Sequence, residues 1–174
     1  MKILGIDPGY AIMGYGIIEK DGNVHRLIDY GVLTTDKDMS MPERLKTLYN
    51  GLMDIMAEHQ PEEAAIEQLY FNTNQTTAIF VGQARGIAIL ACANNGLDIY
   101  EYTPLQIKTS VTGNGRAEKK QVQNMVKTML GMDDIIRPDD AADAVAAAIC
   151  HCKSGTAVKR LNELKQRAKG STKL

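Results

Sequence analysis

The chain has 174 residues, of which 44% are hydrophobic and 24% charged, a balance that indicates one globular domain and excludes fibrous and disordered classes. The net charge is −1, so the chain as a whole lacks the basic character that attracts nucleic acid. That charge is unevenly distributed, because residues 153–174 contain seven Lys and Arg and one acid. We therefore divide the chain into a folded domain at residues 1–152, with charge −7, and a basic tail at residues 153–174, with charge +6.

The N-terminus leads straight into a predicted strand with no cleavable signal, and no stretch approaches the roughly 20 apolar residues of a membrane span. We expect a cytoplasmic protein without a membrane partner. The three cysteines make no complete disulfide framework, so they are interpreted as buried, reduced thiols. Zinc binding at Cys150-His151-Cys152 is the less favoured alternative, because residues two apart on a helix point about 200° away from each other.

Hydrophobic patterning predicts three strands at residues 2–7, 12–20 and 24–34, with Asp21-Gly22 as a hairpin turn between the last two. A helix follows, capped by Ser40 and stopped at Gln60-Pro61. Beyond it the pattern predicts strands at 63–68 and 97–102, with helices at 76–94, from Pro104, at 118–130 and at 141–152. This order predicts an α/β fold with a five-stranded mixed sheet, three antiparallel strands and then two parallel ones, flanked by helices.

Four carboxylates occupy positions typical of a metal site. Asp7 and Glu67 each end an apolar strand, while Asp140 and Asp143 are three residues apart and so share one face of a helix. A buried acid is costly unless a cation compensates it, and Mg²⁺ and Mn²⁺ prefer carboxylate oxygens. Two such ions fit phosphodiester hydrolysis. Ordinary roles remain open for each acid: a turn before Pro8-Gly9, a surface position at a strand end, and helix capping.

Four motifs of the chain resemble, in order and spacing, those of RuvC, the family of bacterial Holliday-junction resolvases. They are Gly5-Ile6-Asp7-Pro8-Gly9, Glu67-Gln68, Gly82-Gln83-Ala84-Arg85-Gly86 and Asp140-Ala141-Ala142-Asp143-Ala144. The resemblance covers residues 1–152. It implies an RNase H-like fold and a homodimeric, Mg²⁺-dependent endonuclease. Such an enzyme resolves four-way DNA junctions by paired symmetric nicks in recombination and repair.

The resemblance also implies what binds where. It assigns Asp7, Glu67, Asp140 and Asp143 as catalytic ligands of two Mg²⁺, for which Mn²⁺ may substitute, and leaves Asp139 as a helix cap. It implies the branch-migration proteins RuvA and RuvB as partners. The tail lies outside the resemblance and is open to three interpretations: a short helix, an arm that aids DNA binding, or a solubilising end.

Six residues are predicted to contact DNA. Tyr70 and Phe71 begin a polar loop after Glu67, where an exposed aromatic ring can stack on an unpaired base; Tyr70 aligns with the wedge aromatic of the family. Lys108, Arg116, Lys119 and Lys120 surround the 112–115 loop and suit phosphates. Arg85 is either a DNA contact or part of an ion pair at a dimer interface.

Three other functions compete with junction cleavage. A nucleotide-binding ATPase shares the first motif but needs two such domains, for which the chain is too short. A non-catalytic junction-binding relative would lack some of the four acids. An RNase H-like nuclease that acts on RNA or an RNA–DNA hybrid would keep the same metal site, so only the helix motif and the aromatic loop favour junction DNA.

Overall fold

The structure, a computed structural model, describes residues 1–68 and 75–170. Five strands and five helices occur in the described ranges. In chain order they are β1 (Lys2–Asp7), β2 (Ile12–Asp21), β3 (Val24–Thr34), α1 (Met41–His59), β4 (Glu63–Glu67), α2 (Gln75–Asn94), β5 (Asp98–Tyr102), α3 (Pro104–Thr112), α4 (Lys119–Leu130) and α5 (Asp139–Gly170).

The strands form one sheet in the order β3-β2-β1-β4-β5. The first three strands pair antiparallel, and β4 and β5 continue the sheet in parallel with β1. Gly22 adopts the left-handed backbone, with φ of 58°, at the hairpin between β2 and β3. The mixed sheet predicted from the sequence is therefore confirmed.

The sheet separates two hydrophobic cores. Successive side chains of a strand point to opposite faces, and β4 shows this clearly. Ala65 belongs to the core under α3, α4 and α5, whereas Ala64 and Ile66 belong to the core under α1 and α2. The predicted boundaries of α1 are confirmed: the backbone N–H of Ser40 donates to the Glu43 carboxylate at 2.8 Å, and Gln60 ends the helix in the left-handed conformation.

Glycines in β1 and β2 let α5 lie directly on the backbone of the sheet. A Cβ atom on Gly5 would lie 2.0 Å from the carbonyl oxygen of Ala144, and one on Gly14 would lie 2.0 Å from that of Asp140. Any side chain at these two positions would push the helix away. The N-terminal turn of α5 therefore reaches the edge of the sheet where β1 and β4 end.

The last helix differs from its predicted range of 141–152. It begins at Asp139 and continues to Gly170, because the residues after Cys152 include no proline and are mostly good helix formers. Of the interpretations of the tail, a helical backbone applies as far as Gly170. The helix does not end at residue 152, so the division of the chain there stays a prediction.

The expectation that no stretch is long and apolar enough to span a membrane is wrong for α2. The window Thr77–Asn94 is long and apolar enough to cross a membrane by length and composition. Those two criteria are weak evidence, since the core helix of a globular protein also meets them. In this fold three alanines of the helix, Ala84, Ala88 and Ala91, are fully buried in the core under α1 and α2.

Candidate active site

The four predicted acids come from three elements that meet at one edge of the sheet. Ile6 of β1 pairs with Ile66 of β4 in parallel, so the residues that follow them, Asp7 and Glu67, end neighbouring strands at the same edge. The first turns of α5 add Asp140 and Asp143 above that edge. All four side chains are partly buried, and their charges interact.

Burial and mutual repulsion change the acidity of this cluster. Burial, followed by the charges of Asp143 and Asp140, raises the pKa of Asp7 to about 7. Burial, followed by the charges of Asp7 and Asp143, raises the pKa of Glu67 to about 8. Burial also raises the pKa of Asp143, against the opposing effect of Lys119. The cluster therefore holds protons near neutral pH unless a cation compensates its charge.

Two lysines bring positive charge to the acids. The Lys119 ammonium, at the start of α4, donates a hydrogen bond to Asp143 at 2.8 Å. Burial lowers the pKa of Lys119, but its hydrogen bond to Asp143 and the charges of Asp143 and Asp139 raise it overall. Lys108 of α3 lines the same cleft, about 150 Å³ in volume, as Glu67, Asp143 and Lys119. Its charge acts to lower the pKa of Glu67.

The donor set of this cleft fits a hard divalent cation. Four carboxylates supply only oxygen ligands, and burial followed by repulsion from neighbouring acids raises the pKa of Asp7 and of Glu67, which a bound cation would offset. Among the described side chains, no group of three His, Cys, Asp or Glu is already arranged to hold one ion. The four acids would therefore have to move closer together to hold an ion in common.

Asp139 lies in the first turn of α5 and also makes contacts that the sequence did not predict. Its Oδ1 atom accepts hydrogen bonds from Gln123 Nε2 at 2.9 Å and from Arg137 Nη1 at 2.5 Å. Its other oxygen lies 3.5 Å from the Lys119 ammonium. These contacts join the start of α5 to α4, and they hold Lys119 between Asp139 and Asp143.

The predicted DNA contacts divide into three groups. Lys108 and Lys119 lie in the cleft with the acids, whereas Arg116 and Lys120 are exposed on the loop and the first turn of α4 beside it. Tyr70 and Phe71 lie outside the described residues.

Both alternatives for Arg85, a DNA contact and an ion pair at a dimer interface, stay predictions. Within the chain its guanidinium pairs with Glu101 of β5. Among the described side chains, the Arg85 Nε atom is buried without a hydrogen-bond partner.

Sequence reasoning missed a buried polar chain beyond the acids. The ring of His151 lies between Tyr102 and Glu63, with one nitrogen 2.6 Å from each. The Cys150-His151-Cys152 motif suggests zinc from its sequence alone, but both thiols are buried and both imidazole nitrogens have other partners. The spacing of eleven residues from Asp140, about three helical turns, was the available signal that His151 shares a face with the acids.

Comparison with known proteins identifies the family. A family model described as crossover junction endodeoxyribonuclease RuvC matches residues 3–151. The chain belongs to the RuvC family. The RuvC of Alkaliphilus oremlandii is 56% identical over 155 residues, which cover 89% of this chain and 94% of that protein. The RuvC of Caldanaerobacter subterraneus is 53% identical over 161 residues, covering 92% of this chain and 98% of that protein.

The solved structures agree with the sequence relatives. The structure of Thermus thermophilus RuvC in complex with a Holliday junction substrate matches with a TM-score of 0.82 and 29% identity, over 90% of this chain and 96% of that chain. A second structure of Thermus thermophilus RuvC matches with the same TM-score of 0.82 and 31% identity, over the same shares of the two chains. The RNase H-like fold expected from the sequence is thereby confirmed.

Proposed function

We propose that this chain is a crossover junction endodeoxyribonuclease that cuts four-way DNA junctions by divalent-cation-dependent hydrolysis at Asp7, Glu67, Asp140 and Asp143. The observation that carries the proposal is a cleft that Glu67 and Asp143 line together with Lys108 and Lys119. The charges of Asp7 and Asp140 act on the same group of acids. Family membership over residues 3–151 supports the same activity.

The residues of the cleft have separate tasks in this mechanism. The four carboxylates would hold two Mg²⁺, with Mn²⁺ as a substitute, and these ions would supply charge neutralisation and water activation for phosphodiester hydrolysis. Asp7 and Glu67 must lose their protons to act as ligands, which their raised pKa values oppose until a cation is present. Lys108 and Lys119 are placed to neutralise the phosphate that enters the cleft.

DNA outside the cleft would be held by charge and by stacking. Arg116 and Lys120 are exposed next to Lys119, so they extend the positive surface along the loop before α4. Tyr70 and Phe71 follow the strand that ends in Glu67, and we assign to them the stacking contact with an unpaired base at the crossover. Residues 1–152 would form the nuclease domain, and the tail at 153–174 would add basic charge.

Paired symmetric cuts require two active sites related by a two-fold axis, and a homodimer supplies them. The exposed face of α2 is the surface we assign to this dimer. Ile79 is 61% exposed and Leu90 is 50% exposed, and in the part of the chain that the structure describes no atom beyond the helix itself lies within 4 Å of a Cβ built on Gly82 or Gly86. These residues recur every three or four positions, so they form one apolar stripe that a second helix can approach closely. RuvA and RuvB are further proposed partners, by family membership.

The decisive experiment compares nicking of a mobile four-way junction, a linear duplex and an RNA–DNA hybrid. Each substrate is incubated with the wild type in Mg²⁺, with the wild type in EDTA, and with the Asp7→Asn variant in Mg²⁺. Asp54→Asn is the matched control, because it makes the same change at an exposed position of α1, on the other face of the sheet. We expect paired symmetric nicks on the junction alone, lost with EDTA and with Asp7→Asn and retained with Asp54→Asn.

Each other result has a definite meaning. Binding of the junction without cleavage by the wild type would refute the enzymatic proposal and favour a binding protein. Preferred cleavage of the hybrid would mean that the assigned active site is correct but that the substrate contains RNA. If the Asp7→Asn variant still nicks the junction, Asp7 is not a catalytic residue.

A further inference from the structure

A buried chain of three polar side chains links β4 and α5, two of the three elements that carry the acids. The Tyr102 hydroxyl lies 2.6 Å from Nδ1 of His151, and Nε2 of the same ring lies 2.6 Å from Oε2 of Glu63. His151 is 1% exposed and the Glu63 side chain is 12% exposed. When the Tyr102 O–H donates to Nδ1 and the Nε2–H donates to Glu63, both ring nitrogens are satisfied and the carboxylate keeps a charge-assisted bond.

Both β4 and α5 carry one residue of the buried polar chain and, further along, an acid of the candidate site. Glu63 begins β4 and Glu67 ends it, and the period of two places both side chains on the face that carries Ala65 against α5. Four strand residues span about 13 Å. The eight residues from Asp143 to His151 on α5 span about 12 Å of helix. A contact between His151 and Glu63 therefore brings Asp143 level with Glu67 at the other end.

The rest of the contact between α5 and the sheet does little to define this register. The buried residues of α5 near the acids are mostly alanines, and they rest on glycine backbone of β1 and β2. Small, uniform side chains define the axial position of a helix only loosely, although Val145 packs over Gly16 here. The hydrogen bond between His151 and Glu63 defines that position more strictly, because a shift of one turn would leave both groups buried without each other.

Gly155 independently indicates that the fold leaves space for the imidazole ring of His151. It lies one turn after His151 on α5, and a Cβ atom there would be 2.6 Å from Cε1 of the imidazole. Glycine inside a helix costs about 1 kcal/mol relative to alanine. The helix has glycine at residue 155 despite this cost, and a larger residue there would overlap the His151 ring.

We propose that Glu63, His151 and Tyr102 are positioning residues, which fix the axial register of α5 against β4 and thereby the spacing of Asp140 and Asp143 from Glu67. The inference rests on the proposed role of these acids as cation ligands. None of the three residues touches the substrate or the ions; they act through the strand and the helix. Their loss should therefore change cation binding more than it changes junction binding.

The test measures four quantities for wild type, His151→Leu, Tyr102→Phe and Glu63→Gln. They are Mn²⁺ affinity of the protein without DNA by calorimetry, the Mg²⁺ concentration for half-maximal nicking, the junction Kd, and Tm. Leu52→Ala and Ile55→Val are the controls, because they weaken the core across the sheet and bracket the expected fall in Tm. All binding and nicking assays are run well below the lowest Tm.

We expect His151→Leu to weaken Mn²⁺ binding and to raise the Mg²⁺ requirement about 10-fold, with junction Kd changed less than about twofold. Glu63→Gln retains an oxygen acceptor for the ring and should show a smaller effect. Tyr102→Phe deletes one oxygen atom and carries the test if His151→Leu fails to fold. The Leu52→Ala and Ile55→Val controls should lose Tm and keep the wild-type Mn²⁺ affinity.

The inference is overturned if the variants of the buried polar chain lose Tm but bind Mn²⁺ as the controls do, since the three residues would then be structural only. It is overturned equally if the wild type nicks the junction and all variants keep its Mg²⁺ requirement. A wild type that neither binds Mn²⁺ nor nicks the junction overturns the proposed function itself, and this inference with it.

Discussion

Lys119 and Asp143 are joined by a hydrogen bond of 2.8 Å, so the acidic cluster already contains one cation that belongs to the chain. The same ammonium lies 3.5 Å from Asp139, and both acids raise its pKa against the effect of its partial burial. A divalent ion bound by Asp143 would compete with this contact. Cation binding and the position of Lys119 should therefore be coupled.

The coupling predicts opposite effects of Lys119→Met on binding and on catalysis. Without the ammonium, the protein alone should bind Mn²⁺ more tightly, because Asp143 loses its competing partner. Nicking should fall about 10-fold or more, because a positive charge beside the substrate phosphate is lost. Calorimetry and single-turnover nicking measure the two effects, and Lys46→Met, at an exposed position of α1 on the other face of the sheet, should change neither by more than about twofold. Equal losses in both assays would contradict the competition.

The raised pKa values predict how metal-free stability depends on pH. Asp7 and Glu67 have folded-state pKa values of about 7 and about 8, above their ordinary values of 3.8 and 4.5. The native state therefore keeps protons that the unfolded chain has released, and this contribution to the free energy of unfolding is lost as pH rises from about 4 to about 8. Excess Mg²⁺ at pH 8 should restore it.

Asp7→Asn isolates that contribution, because the amide cannot ionise. In EDTA at pH 8 the variant should be more stable than wild type, on the order of 1–3 kcal/mol, and the difference should shrink toward pH 5. Denaturant unfolding at several pH values measures it. Asp54→Asn should show a small difference that does not change with pH, and a constant difference for Asp7→Asn would refute the assignment.

The contact between Gly5 and Ala144 predicts a large cost for one methyl group. In Gly5→Ala the new Cβ would overlap the Ala144 carbonyl, which only a displacement of α5 can relieve. We expect a loss of about 3 kcal/mol or more in the free energy of unfolding, and loss of nicking. Gly82→Ala is the control, because its methyl meets no described atom beyond its own helix, and at dilute protein it should be more stable than wild type by up to about 1 kcal/mol. A mild effect of Gly5→Ala would mean that α5 does not need this close approach.

The exposed stripe of α2 predicts a variant that separates assembly from folding. Leu90→Glu places a charge in the proposed dimer surface, so it should yield a monomer with wild-type secondary structure. Sedimentation measures the mass, and nicking of the junction should become unpaired. Ile28→Glu, also at an exposed apolar position but on β3, should remain dimeric. A dimeric Leu90→Glu would move the interface elsewhere.

Much of this molecule was predictable because its local signals agree with its tertiary structure. Asp7 and Glu67 end strands that are parallel neighbours, so their convergence follows once β1 and β4 are recognised. The two faces of α2 were not predictable in the same way. Alanine and glycine are both small, and only the position of the helix on the sheet buries Ala84 and Ala88 and leaves Gly82 open.

Long-range polar contacts were also beyond the sequence. The partner of Arg85 is Glu101, on the next strand of the sheet, and Lys119 reaches Asp143 only because α4 packs beside α5. Such pairs depend on the relative placement of elements rather than on spacing along the chain. The end of α5 differs from its prediction for another reason, since the change in charge at residue 153 suggests a boundary although helix propensity continues beyond it.

The division of the interior by the sheet has a practical consequence for engineering. The acids lie on the α5 side of the sheet, where the helix backbone packs directly on the strand backbone. A methyl group added there would displace α5 and the acids that it carries. Leu48 and Leu52 of α1 fill the opposite layer and are separated from that geometry by the full thickness of the sheet. Heat resistance should therefore be sought by redesigning the α1 layer, where a more tightly packed variant can keep the turnover of its parent.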